Sequence, residues 1–149
     1  MIGVRGFTRT GAHGGVDFRD GQGAPVLAAA EGEVISVTEQ PIGCGIGVLI
    51  AHGQFDRHTA YCHLEKALVR SGQKVRRAEV IGLVGTTGYE GGIPHVHLEL
   101  CTSPCPTGHP DGYLLGTEDP LAFSVGCFDP KKTYSTDKLV LTYPVKCAD

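Results

Sequence analysis

The sequence predicts an all-β domain with only a few short helical turns. Apolar runs of four to six residues recur along the chain, and glycine or another turn former bounds each of them. Such runs are typical of short strands. Glycine and proline account for 22 and 9 of the 149 residues, above their average shares of about 7% and 5%. Turns are therefore frequent, and long helices are not expected.

Six segments fit the strand pattern. In chain order they are Pro25–Ala28, Glu33–Val37, Gly47–His52, Thr59–His63, Glu79–Val84 and His95–Leu100. The stretch from Leu64 to Val69 is the one place where the spacing favours a helical turn. The composition predicts one loop between Gly85 and Gly92 and a second loop from Cys101 to Pro120.

The length of 149 residues corresponds to one domain, since a domain averages roughly 150 residues. The composition shifts after Phe123, and we predict that residues 124–149 form a hairpin extension of the same domain, closed by a disulfide. Its second strand, Lys138–Pro144, is expected at a sheet edge, because proline cannot donate to a strand ladder.

Charge and hydropathy exclude two classes of partner. The formal net charge is −3 and 19% of the residues are charged, which is not the basic footprint of a nucleic-acid-binding protein. No segment approaches the roughly 18 apolar residues of a membrane-spanning helix. We expect no nucleic-acid partner, no membrane span and a monomeric protein.

The six cysteines are even in number and suit an oxidising compartment. We predict that Cys101 pairs with Cys105 across a turn and Cys127 with Cys147, which leaves Cys44 for Cys62. The alternative, in which Cys101 and Cys105 are half of a zinc ribbon, lacks a second matching pair. A secreted or periplasmic location follows. Because residues 1–6 lack the apolar run of a signal peptide, we expect that a leader has been removed or is not included.

Two histidine motifs have a spacing that brings metal ligands together. Three residues separate His13 from Asp17, and the glycines between them predict a loop leading into a strand. His95 and His97 alternate along a predicted strand, so both rings lie on one face, roughly 7 Å apart at the backbone. Glu99 falls on the same face and is a candidate to orient one of the rings.

A catalytic zinc ion takes three nitrogen or oxygen ligands and keeps a fourth position open. His13, Asp17 and one of His95 or His97 supply this set, and the other strand histidine would then act in proton transfer. The residue pattern alone leaves that choice open. The zinc-protease motif His-Glu-x-x-His is absent, so histidine is the natural replacement for its glutamate base. His63, at the end of a predicted strand, is the further candidate.

From about Gly11 to Phe123 the chain resembles the zinc metallopeptidases of the lysostaphin and LytM type, the M23 peptidases. The resemblance rests on an ordered set of motifs. They are His13-x3-Asp17, the segment Pro25–Val34, Tyr61-x-His63-Leu64, Gly72–Val75 with Ile81–Gly85, and Pro94-His95-x-His97-Leu98-Glu99.

This resemblance implies that His13, Asp17 and His97 bind Zn²⁺, while His63 and His95 are the catalytic histidines. It implies a peptidase core over residues 1–123, with a substrate groove across an antiparallel sheet, and hydrolysis of peptide cross-links in bacterial peptidoglycan by a zinc-activated water. The alternative is a catalytically silent zinc-binding module of the same fold that acts as a regulator or a secreted ligand. Retention of all five site residues favours the enzyme.

Overall fold

The computed structural model describes residues 7–9, 15–41, 43–88, 92–102, 105 and 117–147. Ten strands form one sheet. They are β1 (Phe7–Arg9), β2 (Val16–Arg19), β3 (Pro25–Leu27), β4 (Gly32–Glu39), β5 (Ile46–His52), β6 (Arg57–Ala67), β7 (Lys74–Val75), β8 (Val80–Val84), β9 (His95–Cys101) and β10 (Thr117–Glu118). Within the described ranges the helical structure consists of two 3₁₀ turns, Gly53–Phe55 and Pro120–Ala122. The predicted all-β architecture is confirmed.

The sheet is antiparallel throughout its named strand pairs. Its main path runs β1-β2-β9-β6-β5-β4-β7, while β10 pairs with β9 and β8 pairs with both β3 and β6. The longest strand, β6, has 11 residues and pairs with β5, β8 and β9. It therefore lies at the centre of the sheet, with the strands β2 and β9 on one side of it.

The helical turn predicted between Leu64 and Val69 is wrong. Strand β6 continues to Ala67, and Leu64 pairs with Val84 of β8 while Ala67 pairs with Gly82. Pairing with β8 satisfies the backbone in an extended conformation, so tertiary context overrides the local spacing.

The main hydrophobic core contains aromatic and branched side chains from most of the sheet. Phe18, Tyr61, Leu64 and Ile81 are fully buried members of it. Burying one side chain of this size stabilises the fold by about 1.5–3 kcal/mol. The core thus fixes β2 and β6, the strands that carry candidate site residues.

The C-terminal segment 124–147 packs against this core instead of forming the two regular strands of a hairpin. Its backbone is bridged to β3 and to the residues that follow it: Leu27 N–H donates to the Pro144 carbonyl at 2.8 Å, and Thr142 N–H donates to the Ala29 carbonyl at 2.9 Å. Leu141 is 1% exposed. These backbone hydrogen bonds and the buried Leu141 tie the segment to the core. We call residues 124–147 the C-terminal strap.

All three predicted disulfides are present: Cys44–Cys62, Cys101–Cys105 and Cys127–Cys147. The zinc-ribbon alternative is excluded for Cys101 and Cys105, since their sulfurs are bonded to each other and offer no thiolates. In the described ranges, no helix is long and apolar enough to cross a membrane.

Candidate metal centre and catalytic site

Adjacent strands bring the acidic and the histidine motifs together. In the register of β2 with β9, Asp17 lies directly opposite His97, and Arg19 lies opposite His95. Residues opposite each other in antiparallel strands project to the same face, as do alternate residues of one strand. Asp17, His95, His97 and Glu99 therefore share one face. His95 and His97 are each 8% exposed and Glu99 is 6% exposed.

The His97 ring is held between two carboxylates. Its Nδ1 lies 2.7 Å from Asp17 Oδ1, and its Nε2 lies 3.0 Å from Glu99 Oε2. His95 Nε2 is 3.6 Å from the same Asp17 oxygen. Asp17 Oδ1 is thus the point on which donor atoms from two strand histidines converge.

The electrostatics of this pair favour a cation between Asp17 and His97. Burial alone would lower the His97 pKa, but the hydrogen bonds to Asp17 and Glu99 raise it to about 9. Burial alone would raise the Asp17 pKa, but the bond to His97 and the charges of neighbouring histidines hold it below its ordinary value. The pair offers one oxygen and one nitrogen donor. Zinc prefers such donors, so these residues fit the ion.

His63 reaches the same face from an irregularity in β6. Its φ of 68° lies in the left-handed region, which non-glycine residues rarely occupy. Its ring centroid lies 5.0 Å from that of His95 and 5.9 Å from that of His97. Three imidazoles and the Asp17 carboxylate are thereby gathered into one cluster.

Backbone carbonyls set the tautomers of the two histidines that resemblance assigns to catalysis. His63 Nδ1 donates to the Thr87 carbonyl and His95 Nδ1 donates to the Ile93 carbonyl, each at 2.7 Å. A carbonyl only accepts, so each Nδ1 carries a hydrogen. Burial and the neighbouring imidazoles lower the His63 pKa to about 4. His63 is therefore neutral at pH 7, with Nε2 free of a proton.

Of the five predicted site residues, the described part of the chain brings four together: Asp17, His63, His95 and His97. His13 lies outside the described residues. Gly15, two residues after it in the sequence, packs so closely on the His97 ring that a β-carbon there would collide with Cε1 and Nε2. The sequence did not identify the Thr87 and Ile93 carbonyls, because any residue type can supply a main-chain oxygen.

A second buried group of potential donors lies beside the first. Ligand atoms of Glu99, Cys101 and Cys105 lie within 4.8 Å of one another. The cysteines are disulfide-bonded, and a metal ligand must be the thiolate. This group therefore does not compete with Asp17 and His97 for a metal.

Three comparisons relate this geometry to known proteins. Peptidoglycan DD-endopeptidase ShyA of Vibrio cholerae is 44% identical over 92 residues, which are 62% of this chain and 21% of the relative. A crystal structure of a zinc-containing peptidase from Vibrio cholerae matches with a TM-score of 0.57 at 38% identity, over 68% of this chain and 31% of that one. The catalytic domain of lysostaphin from Staphylococcus simulans matches with a TM-score of 0.63 at 26% identity, over 83% and 89%.

The chain spans about a fifth of the length of the curated relatives it matches, 18% of one from Haemophilus influenzae and 21% of ShyA. Residues 11–107 match the model of peptidase family M23. That match covers more than half of the chain and includes both the Asp17 and the His95–His97 motifs. The chain belongs to peptidase family M23.

Proposed function

We propose that the protein is a zinc-dependent endopeptidase that hydrolyses peptide cross-links of bacterial peptidoglycan. The observation that carries this proposal is the Asp17–His97 donor pair beside two histidines whose Nδ1 atoms are both bound to carbonyls. The name of ShyA, a peptidoglycan DD-endopeptidase, supports the substrate class.

Asp17 and His97 would hold the ion together with His13. When bound, zinc would act as a Lewis acid and would lower the pKa of its water to about 7. Asp17 and His97 lie on paired strands, which keeps their donor atoms in place with little reorganisation. Rigid strands are better supports for such a constellation than loops.

His63 and His95 handle protons in this proposal. His63 is neutral at pH 7, and its Nε2 has a lone pair available to accept a proton from the attacking water. His95 Nε2 faces Asp17 Oδ1 at 3.6 Å and is placed to stabilise the developing oxyanion or to pass a proton to the leaving amine. Either histidine can take up a proton on Nε2, since both have Nδ1 fixed as a donor. Once protonated there, the same Nε2 can donate to the oxyanion or give the proton taken from the water to the leaving amine.

The proposed location of the protein is the cell envelope or the secreted fraction. Three disulfides join all six cysteines, and disulfides persist in oxidising compartments. Peptidoglycan itself lies there. The substrate is proposed to lie across the sheet in a groove, and the protein to act as a monomer.

Zinc analysis of purified protein, followed by turbidity of purified cell walls, tests the proposal. We expect about one zinc per chain and a loss of turbidity that stops when a chelator is added. Bound zinc without lysis would support the silent module instead, and absence of stoichiometric zinc would overturn both. Mass spectrometry of a digest of defined muropeptides then identifies the bond that is cleaved, whether D,D, D,L or within a glycine bridge.

A further inference from the structure

The Cys44–Cys62 disulfide lies directly beside His63 in the chain and in space. We infer that this disulfide is a positioning element for His63: it holds the loop 43–46 so that His63 keeps both its backbone conformation and its ring orientation. The inference rests on the proposed function, in which His63 moves a proton. Both cysteines are buried, each at 4% exposure, so the bond lies inside the fold and is not a surface staple.

His63 occupies a bulge in β6. Val48 pairs with Tyr61 and Ile46 pairs with Leu64, so one residue of β5 faces two residues of β6. The extra residue of a bulge leaves the regular ladder and can re-aim its side chain. His63 takes φ of 68° there, a conformation that crowds its β-carbon and that surrounding contacts must maintain.

Cys44 supplies two of those contacts. Its carbonyl accepts the His63 N–H at 2.7 Å, and its sulfur is bonded to Cys62, the residue before His63. The bulge is thus fixed to the loop by a covalent bond at one residue and a hydrogen bond at the next. A β-carbon on Gly47 would collide with Cys44 Sγ, so the loop has little room to take another path.

The same loop seats the residue that holds the His63 ring. Ile46 N–H donates to Thr87 Oγ1 at 3.0 Å, and Thr87 Oγ1 donates to the Leu64 carbonyl at 2.6 Å. The Thr87 carbonyl in turn accepts the His63 Nδ1 hydrogen. A β-carbon on Gly45 would lie 2.5 Å from the Gly88 nitrogen, so the two loops are in close backbone contact.

Loss of the disulfide is therefore expected to disturb His63 through two contacts. The first is the Cys44 carbonyl, which holds the His63 backbone, and the second is Thr87, which holds the ring. Asp17 and His97 are held by the β2–β9 register and by Glu99. His97 also lies opposite Cys62 in the β6–β9 register, but this is a backbone pairing that alanine at position 62 can keep. We expect the zinc content to persist while the geometry of His63 relaxes. A displacement of about 1 Å in a catalytic group can cost about 100-fold in rate.

The test compares C44A/C62A with the matched control C127A/C147A. The two disulfides span 18 and 20 residues, so their loop-closure contributions to stability are similar, but only the first touches His63. On purified peptidoglycan, below the melting temperature of each variant, we expect C44A/C62A to lose about 10- to 100-fold in kcat with zinc retained. The control should stay within about 2-fold of the wild type, since it lies in the C-terminal segment. Equal kcat values in the two variants would overturn the inference.

A readout independent of activity is the ¹⁵N NMR spectrum of the histidine side chains. His63 should show a single tautomer with hydrogen on Nδ1 in the wild type and in C127A/C147A, and mixed tautomers in C44A/C62A. An unchanged His63 spectrum in C44A/C62A overturns the inference even if activity falls. If the wild type cleaves no cell wall but His63 still changes from one tautomer to mixed tautomers in C44A/C62A, the proposed function is contradicted. The positioning role of the disulfide is then still supported.

Should C44A/C62A not fold, T87V takes its place, because the disulfide is inferred to fix the orientation of the His63 ring through Thr87. This near-isosteric change removes the Oγ1 bonds to Leu64 and Ile46 and keeps the disulfide. We expect the same loss of kcat and the same mixed His63 tautomers. A T87V protein with wild-type kcat and wild-type spectrum would overturn the inference.

Discussion

His97 Nδ1 and Asp17 Oδ1 lie 2.7 Å apart across two paired strands, in a setting that raises the His97 pKa to about 9. Two metal-type donors that share a proton at this distance form a site in which a divalent cation can replace the proton. Metal binding at such a site releases that proton. The pair thus supplies the two donors, one from β2 and one from β9, that the proposed metal centre requires.

Replacing His63 with alanine separates its role from that of the metal ligands. We expect H63A to retain zinc, because the Asp17–His97 pair does not include His63, and to lose about 10²- to 10⁴-fold in kcat, the usual contribution of a general acid or base. Steady-state kinetics with metal analysis on the same preparation checks this. Full hydrolytic activity in H63A would assign the proton transfers elsewhere. H58A is a control for the loss of an imidazole from β6, since His58 Nδ1 has no hydrogen-bond partner among the described residues.

Glu99 is expected to set the tautomer of His97. Its Oε2 faces His97 Nε2 at 3.0 Å, which directs Nδ1 towards Asp17. The Cys101 and Cys105 sulfurs lie within 4.8 Å of a Glu99 oxygen and shield the carboxylate. Removal of such an outer partner typically costs about 10- to 100-fold in metal affinity.

We therefore expect E99A to bind zinc about 10- to 100-fold more weakly than the wild type in a chelator competition. E99Q, whose amide oxygen still accepts a hydrogen bond, should lose less. The exposed Glu65 carboxylate accepts a hydrogen bond from Gln22 and not from a site histidine. E65A therefore controls for the loss of one negative charge. Equal zinc affinities for E99A and E65A would show that Glu99 does not orient His97.

His52 predicts a pH dependence of stability. Its Nδ1 donates to the Glu31 carbonyl at 2.6 Å and its Nε2 accepts from the Thr59 hydroxyl at 2.8 Å. Burial, at 3% exposure, lowers its pKa from 6.5 to about 4. Between pH 6.5 and about pH 4, His52 is protonated in the unfolded chain but neutral in the folded chain. Stability is therefore full above pH 6.5 and is lost as the pH falls towards 4, by up to about 3 kcal/mol.

Denaturant unfolding of the wild type and of H52Q at pH 7 and pH 4.5 measures this effect. The difference in free energy of unfolding between the two proteins should narrow as the pH falls, because H52Q has no imidazole to protonate at this position. A difference that stays constant over this range would mean that His52 titrates normally in the folded protein.

The C-terminal strap is expected to contribute to global stability. Leu141 is 1% exposed in the main core, whereas Val125 of the same segment is 57% exposed. L141A should lower the free energy of unfolding by about 2–5 kcal/mol, and V125A should change it by less than about 0.5 kcal/mol. Thermal or denaturant unfolding of both variants measures these changes in the free energy of unfolding. A similar small effect for the two would mean that the strap is not part of the cooperative core.

Much of the site follows from local patterns in the sequence. Alternation along β9 is enough to place His95, His97 and Glu99 on one face. The cysteine spacing is enough for two of the disulfides, and the third follows because Cys44 and Cys62 are the two cysteines left. The pairing between distant strands does not follow from local patterns. Nothing near Asp17 in the sequence specifies that its strand pairs with β9 so that Asp17 lies opposite His97. The order of motifs known from the M23 family supplies that pairing.

Two features depend on tertiary contacts that no short window contains. Strand β6 continues through Leu64 because β8 pairs with it, although the spacing from Leu64 to Val69 favours a helical turn. The left-handed conformation of His63 is inferred to depend on Cys44, whose carbonyl accepts the His63 N–H and whose sulfur is bonded to Cys62, 18 residues away. Local propensity describes neither, because both conformations are set by segments that are distant in the chain.

The most direct test of the central claim is the zinc content of the wild type, D17A and H97A after dialysis against a weak chelator. We expect about one zinc per wild-type chain and almost none in either variant, because each variant lacks one of the three proposed protein ligands. Stoichiometric zinc in D17A or H97A would show that the metal binds elsewhere and would contradict the proposed metal centre.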